Sequence, residues 1–391
     1  MFQARNLVNF NGSQIPRGSR VSIMTYNVLF RGGSNSNFSF KKTSLSEGRE
    51  TIIMSEISHY EPDILCLQEV SRDGEFLPWK IRLEQIGYES LFFAHGRNQH
   101  GLAVAYKSGL FSELAHKCVG YRDQDMLNLI DPVTTNHSAV LVALKLKSID
   151  RIGSSIGSKN GIIIGTTQLS PFQAASYERT RQAGILLNEV KSFSDGLGCG
   201  SSFNTVLAGD FNSTPNDAAY ISLTSRPLKF NGITKKLLGN SICRNPKHEK
   251  FNFDPNIRIP SSLRTQALQK IAKIQNFHNK IGIRATSVYN LAHRWSLKNK
   301  VGAQFTEPKF SFWGSRWQGL VDYIFLIERC GAILDSTNET ESDAGELSCA
   351  NIISVLDTPT ISDMKSIDSA LPAIGKFPSD HLCLMAEAEL L

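Results

Sequence analysis

Short apolar runs recur along the chain, each a strand's length and each closed by Gly, Pro or a polar residue. The runs are VSIMTYNVLF (21–30), DILCLQEV (63–70), GLAVAYK (101–107), SAVLVALKLK (138–147), GIIIGTTQL (161–169), TVLAGDFN (205–212), GLVDYIFLI (319–327) and SDHLCLMAEAEL (379–390). Their β-branched and aromatic content and their length predict buried strands. Helical spacing marks other segments: Ile52, Ile53, Met54 and Ile57 within 46–60, then FLPWKIRLEQIGY (76–88), SYERTRQAGILLNEV (176–190) and SSLRTQALQKIAKIQNF (261–277). Strands and helices alternate, yet several strands follow one another with no helix between them. That pattern predicts an α/β fold with mixed sheets. Residues 1–20 read as an irregular or targeting tail, and 21–391 as one domain carrying a basic insertion at about 226–309.

Composition narrows the class. With 391 residues, 41% hydrophobic, the chain can bury a sizeable core. No apolar run approaches the roughly 18 residues that cross a bilayer, so a soluble protein is expected. The seven cysteines form no CxxC pair, and several sit in strand-like runs, which favours reduced, buried thiols. The start is Arg-containing, with no acid before Glu47, which fits a mitochondrial presequence and a disordered tail equally. The compartment therefore stays open between mitochondrion and cytoplasm.

Charge changes the picture more. Residues 226–309 hold 17 Lys+Arg against Glu249, Asp254 and Glu307, a balance of +14. The remaining 25 basic and 33 acidic residues give −8. A basic block beside an acidic remainder suggests a polyanionic partner, with a solvated surface as the bland alternative.

Candidate chemistry gathers where the apolar runs end. Asn27 closes the first run, Gln68 and Glu69 follow DILCL, and Asp210 and Asn212 follow TVLAG. Asp322 interrupts GLVDYIFLI, and Asp380 and His381 open the last run. Residues two apart on a strand share a face, so Asp210 and Asn212 are expected to emerge together. Each site alone has an ordinary explanation as a turn or a satisfied core residue, but five together do not. A carboxylate among apolar residues is costly unless paired, hydrogen-bonded or metal-bound. Carboxylates and amides with few thiols suit a hard cation such as Mg²⁺, with Mn²⁺ as a substitute. No HExxH and no Cys/His cluster argues for zinc, and GDFNSTP lacks phosphate-loop spacing. Carboxylates, a cation and one histidine fit phosphodiester hydrolysis.

MTYNVL, PDILCLQEV, GLAVAYK, GDFNSTP, GLVDYIFL and FPSDHLCL, in that order, resemble the endonuclease/exonuclease/phosphatase superfamily. LPAIGKFPSDHLCLMAEAEL points to the branch of carbon-catabolite-repressor-type deadenylases, with the nocturnin, Angel and Ngl-type RNA exonuclease groups. The resemblance implies two mixed sheets packed as a sandwich flanked by helices, the deoxyribonuclease fold. It implies that Glu69 is the principal Mg²⁺ ligand, with Asn27 and Asp380 near the metal. Asp210 would activate water, Asn212 would hold a phosphate oxygen, and His381 would stabilise the phosphoryl oxygens, oriented by Asp322. The implied activity is a Mg²⁺-dependent 3′-to-5′ exoribonuclease acting on single-stranded RNA, with poly(A) as the suspected substrate. No leucine-rich scaffold-docking region precedes the matched motifs.

One residue departs from the pattern. Gln168 stands where this branch usually has a phosphate-contacting histidine. Glutamine donates a hydrogen bond but holds neither proton nor charge, so a slowed or altered enzyme is expected rather than an inactive one. Gln168 joins the expected substrate contacts with Trp313, Phe310 and Arg179; core packing and a solvated helix face are their respective alternatives. Two other functions stay open: hydrolysis of a small phosphate ester, and RNA binding with weakened catalysis.

Overall fold

The structure is a computed structural model describing residues 2–10, 18–30, 45–71, 76–95, 100–121, 136–147, 160–198, 202–243, 261–297, 307–330, 350–368, 370–373 and 375–390. The turn-rich 153–159, the acidic 338–346, and Lys247, Lys250 and Arg258 of the basic block lie outside the described residues.

In chain order the first strands are β1 (Leu7–Asn9), β2 (Ser19–Asn27), β3 (Ile64–Ser71), β4 (Tyr88–Ala94), β5 (His100–Lys107), β6 (Phe111–Gly120), β7 (Ser138–Leu146) and β8 (Gly161–Thr167). They continue with β9 (Phe203–Asp210), β10 (Ile283–Ser287), β11 (Phe312–Trp313), β12 (Gln318–Gly319), β13 (Asp322–Arg329), β14 (Ala350–Leu356) and β15 (Leu384–Leu390). The helices are α1 (Leu45–Tyr60), α2 (Phe76–Gln85), α3 (Ser176–Gly196), α4 (Ala218–Thr224), α5 (Gly232–Cys243), α6 (Ser261–Ile281), α7 (Val288–Leu297) and α8 (Ile361–Ile367).

Two mixed sheets carry the fold, in the orders β1-β14-β15-β2-β3-β5-β4 and β10-β13-β9-β8-β7-β6. Strand alternation sorts the side chains. Ile23, Ile64 and Cys66 join Val104, Ile163, Leu207 and Phe325 between the sheets. Their neighbours Met24, Leu65 and Leu67 face outward beneath Ile53 and Ile57 of α1 and Trp79 and Leu83 of α2. β8 is buried along its whole length, which explains its unbroken apolar character.

The sequence reading of the central strands and of α1, α3 and α6 matches this architecture. β4 and β6 were not expected: β6 is an edge strand whose exposed Glu113, Leu114 and His116 obscure the alternation. Two boundary expectations are corrected. Residues 2–10 are part of the fold, because β1 pairs with β14. The Arg5 guanidinium donates to Cys383 O at 2.8 Å and lies 3.6 Å from Glu56. Much of the basic segment is likewise integral. β10 pairs with β13, and α6 sends His278 against Thr180 O of α3 at 3.0 Å. Among the described cysteines, all free, Cys66 and Cys383 of the apolar runs are buried as expected, while Cys243 and Cys330 are half-buried and Cys118 is exposed. No helix of the described residues is long and apolar enough to cross a membrane.

Gly209 ties the fold to the polar strand ends. A Cβ there would stand 2.4 Å from Thr167 O and 2.9 Å from Thr167 N, both backbone atoms that cannot rotate away. The missing side chain lets β9 close on β8 and brings Gln168 beside Asp210 in a parallel bridge. Gly209→Ala is expected to destabilise by about 1–3 kcal/mol through overpacking and to spread Gln168 from Asp210. Denaturant titration and a structure of the variant check it; unchanged stability with an unmoved bridge would contradict it.

Candidate active site

The polar strand ends meet at one edge of the sandwich, each delivered by a local device. Glu69 sits at φ +59 beside a register shift in the β3–β5 pairing, between Leu67 and Val70. That bulge turns consecutive polar residues apart. Gln68 points inward, where its amide donates to Thr25 Oγ1 and Thr166 Oγ1. Glu69 turns instead to the edge and accepts from Phe30 N at 2.9 Å.

Asp210 ends β9, and Asn212 lies beyond it at φ +46. The two come together, but through a left-handed turn rather than the expected strand alternation. Asn212 N donates to Asp210 Oδ1 at 2.9 Å, while Asn212 Nδ2 donates to Asp210 Oδ2 at 3.1 Å and Leu169 O at 3.0 Å. The Asn212 amide is thus occupied in holding Asp210.

Two amides span the sheets. Asn27 Nδ2 donates to Glu69 Oε1 at 3.0 Å and to Asp210 Oδ2 at 3.1 Å. Gln168 Nε2 repeats the bridge, at 2.7 Å to Glu69 Oε1 and 3.4 Å to Asp210 Oδ2. On the other side, His381 Nδ1 and Asp322 Oδ2 are 2.8 Å apart, and His381 Nε2 is 4.0 Å from Asp380 Oδ1. His381 precedes β15 rather than lying within it. Ser379 holds this turn by donating to Asn27 O at 2.7 Å and accepting from His381 N at 3.2 Å.

Electrostatics follow from this packing. Burial pushes the Glu69 carboxyl up, but hydrogen bonds from Asn27 and Phe30 N, with His381 and His100 nearby, outweigh it and hold the group below its ordinary value. Burial, reinforced by Asp322, pushes Asp210 up to about 7. Burial raises Asp380 to about 6. The His381 imidazole loses solvation, yet Asp322, Asp210 and Asp380 more than compensate and keep it protonated well above its ordinary range.

This donor set fits a hard divalent cation. Four carboxylates face one imidazolium, and two of them are pushed toward neutrality for want of positive charge. Ligand-type atoms of Asp210, Asp322 and His381 lie within 4.8 Å of one another. A protonated histidine paired to Asp322 is a poor ligand, however. Glu69, with Asn27 and Asp380, is the better set to hold a cation.

The expected substrate contacts divide. Phe310 and Trp313 are 2% and 3% exposed and pack with Leu371, Phe377 and Leu382. Neither can stack on a base, so both expectations are corrected. Trp317, a member of the same aromatic cluster that the sequence ranked below Trp313, is 43% exposed. It lies 5.4 Å from Phe312, whose ring is 5.1 Å from His381. Only the direction of the side chains separates it from Trp313, and spacing in so irregular a loop gives no direction. Arg179 is also corrected: it is buried, donating to Asp217 Oδ2 at 2.7 Å and Phe172 O at 2.6 Å. It braces the turn after Gln168. Sequence reasoning also missed His95, His100 and His137, which meet behind Gln168 and have no regular spacing.

A two-layer sandwich with a carboxylate-rich cleft and one charged histidine across its strand ends defines a hydrolase-type site. The model of the Endonuclease/Exonuclease/phosphatase family matches residues 24–381, and the chain belongs to that family. RNA exonuclease NGL2 of Saccharomyces cerevisiae is 26% identical over 423 residues, covering 100% of this chain and 82% of the relative. A probable RNA exonuclease of Schizosaccharomyces pombe is 27% identical, covering 95% of this chain and 76% of the relative. The human Nocturnin catalytic domain shares the fold at a TM-score of 0.55 and 20% identity, covering 99% of this chain and 98% of that one. ANGEL2, a 2′,3′-cyclic phosphatase in complex with adenosine-2′,3′-vanadate, gives 0.61 at 20% identity, with coverage of 99% and 98%.

The His381–Asp322 pair yields a direct prediction. Stability from a raised histidine pKa is complete below the ordinary 6.5 and is lost as pH rises through the elevated value. Asp322→Asn is expected to bring the His381 pKa down, read by NMR titration of the ring. A titration unchanged by the substitution would contradict the pairing.

Proposed function

We propose that the protein is a Mg²⁺-dependent 3′-to-5′ exoribonuclease of deadenylase type that releases 5′-nucleotides. The observation that carries the reading is the convergence of Glu69, Asn27, Asp210 and Gln168 from both sheets opposite the charged His381–Asp322 pair. The relatives named as RNA exonucleases support an RNA substrate. Glu69 with Asn27 and Asp380 would hold Mg²⁺, which would supply Lewis-acid stabilisation of phosphate charge.

The chain's own residues supply the rest. Asp210 accepts a proton from the attacking water; near neutral pH its carboxyl is poised for this, since burial places it at about 7. Asn212 fixes Asp210, and its amide is spent there and on Leu169 O, so its role is to hold the base rather than a phosphate oxygen. His381, charged and oriented by Asp322, donates from Nε2 to the developing phosphoryl charge. Gln168 adds a neutral donor next to Asp210. Trp317 and Phe312 offer a stacking surface beside His381. The basic segment packs onto the main body through α5, where Ser241 Oγ donates to Ala174 O at 2.6 Å. Lys235 and Lys236 of α5 and Lys273 of α6 are exposed on that segment and would bind a polyanion.

The test uses 5′-labelled oligoadenylate and a mixed-sequence RNA of equal length, with Mg²⁺ or EDTA, beside Asp210→Ala. A Mg²⁺-dependent ladder shortening from the 3′ end and absent in the variant is expected. Intact RNA throughout, with folded protein, overturns the reading; loss of a terminal or cyclic phosphate without shortening would reassign the substrate to a small phosphate ester. Trp317→Ala should raise KM for RNA about fivefold or more, since base stacking on an aromatic contributes about 1–3 kcal/mol, with kcat changed less.

A further inference from the structure

Gln168 is held on one side only. Its NH₂ faces Glu69 and Asp210. An amide flipped the other way would place its oxygen 2.7 Å from a carboxylate oxygen, so the orientation is dictated by charge. The carbonyl Oε1 consequently points away from the carboxylates, and it is buried without a hydrogen-bond partner.

Behind it lies His95, a fully buried side chain. Its Nδ1 is 2.7 Å from Ser138 Oγ, while its Nε2 is buried and unpartnered. The two open atoms belong to neighbouring side chains that interact, although in this conformation they do not meet hydrogen-bond geometry. A buried donor and a buried acceptor left open each keep an uncompensated desolvation penalty. Pairing the two removes both penalties.

We propose that His95 is a positioning residue for Gln168, its Nε2–H donating to Gln168 Oε1 while Ser138 Oγ donates to its Nδ1. The contact fixes the amide so that its NH₂ stays aimed at Glu69 and Asp210. Glutamine has three side-chain torsions and needs such a brace to act as an oriented donor. The surroundings keep His95 neutral, with one N–H to give: burial disfavours the imidazolium, and the rings of His137 and His100, centred 5.8 and 5.4 Å away, disfavour it further. The assignment gives the departure at position 168 a structural counterpart. Where the resemblance implies a histidine, this chain has a neutral amide with a histidine behind it.

The catalytic consequence rests on the proposed RNA hydrolysis, so the first arm of the test does not use a substrate. Long-range proton–nitrogen NMR of the histidine rings in the full chain compares wild type with Gln168→Leu. His95 is expected as the Nε2–H tautomer, with a slowly exchanging proton that loses protection in Gln168→Leu. A ring protonated on Nδ1, or an Nε2–H indifferent to the substitution, overturns the proposal even if RNA is cleaved. In the second arm, His95→Phe should lower kcat about tenfold or more, the usual scale for residues that orient a ligand from behind, with KM little changed. His95→Gln, which keeps a donor at that reach, should recover most of the loss. His95→Phe should cost nothing further in the Gln168→Leu background; a full multiplicative loss there overturns the proposal. If His95→Phe does not fold, the NMR arm decides alone. Absence of all RNA cleavage would strike the functional reading and leave the NMR result standing.

Discussion

Two carboxylates, the half-buried Glu69 from one sheet and the buried Asp210 from the other, share the same pair of amide donors. Asn27 and Gln168 each send their NH₂ to both acids. Without those donors the acids would repel across the seam of the sandwich with little water to screen them. With them, the seam closes at this edge, and the spacing of the acids becomes a property of the fold rather than of flexible side chains. The rest of the site is arranged around this bridge. Ser379 ties the turn that carries His381 to the backbone of Asn27, and Asn212 anchors Asp210 to the turn after Gln168. Arg179 then braces that turn from beneath.

The bridge also explains the asymmetry of charge. Amide donors stabilise the acids but bring no positive charge. His381 supplies one, on the far side and partly spent on Asp322. The outcome is an ionised Glu69 beside Asp210 and Asp380, whose carboxyls are driven upward by burial. Crowding acids with so little positive charge costs stability, which is how a fold can trade stability for function.

Much of this was legible in the sequence because polar residues were costly where they occurred. Asn27, Glu69, Asp210, Asp322 and His381 each end or interrupt an apolar run, and the structure brings all five together. What sequence could not give was direction. The left-handed conformations at Glu69 and Asn212 redirect side chains that strand alternation would have placed elsewhere. Trp313 and Trp317 are four residues apart in one loop, yet one fills a core and the other faces outward. Arg179 read as a phosphate contact because its partner, Asp217, is remote in sequence. The histidines behind Gln168 come from three separate strand ends, and only the assembled sheets make them neighbours. The edge strands β4 and β6 escaped for a related reason: half-exposed strands do not need the apolar alternation that marks central ones.

The central claim is that the carboxylates around the amide bridge are built for a hard divalent cation. The most direct measurement is the thermal shift that Mg²⁺ gives at pH 5.5 and pH 8, in wild type and Glu69→Gln. Protonation of Asp380, which burial raises to about 6, and of the neighbouring Asp210, raised to about 7, opposes cation binding. Tm is expected to rise at pH 8, much less at pH 5.5, and not at all in Glu69→Gln. A shift that is equal at both pH values, or that survives Glu69→Gln, would contradict it.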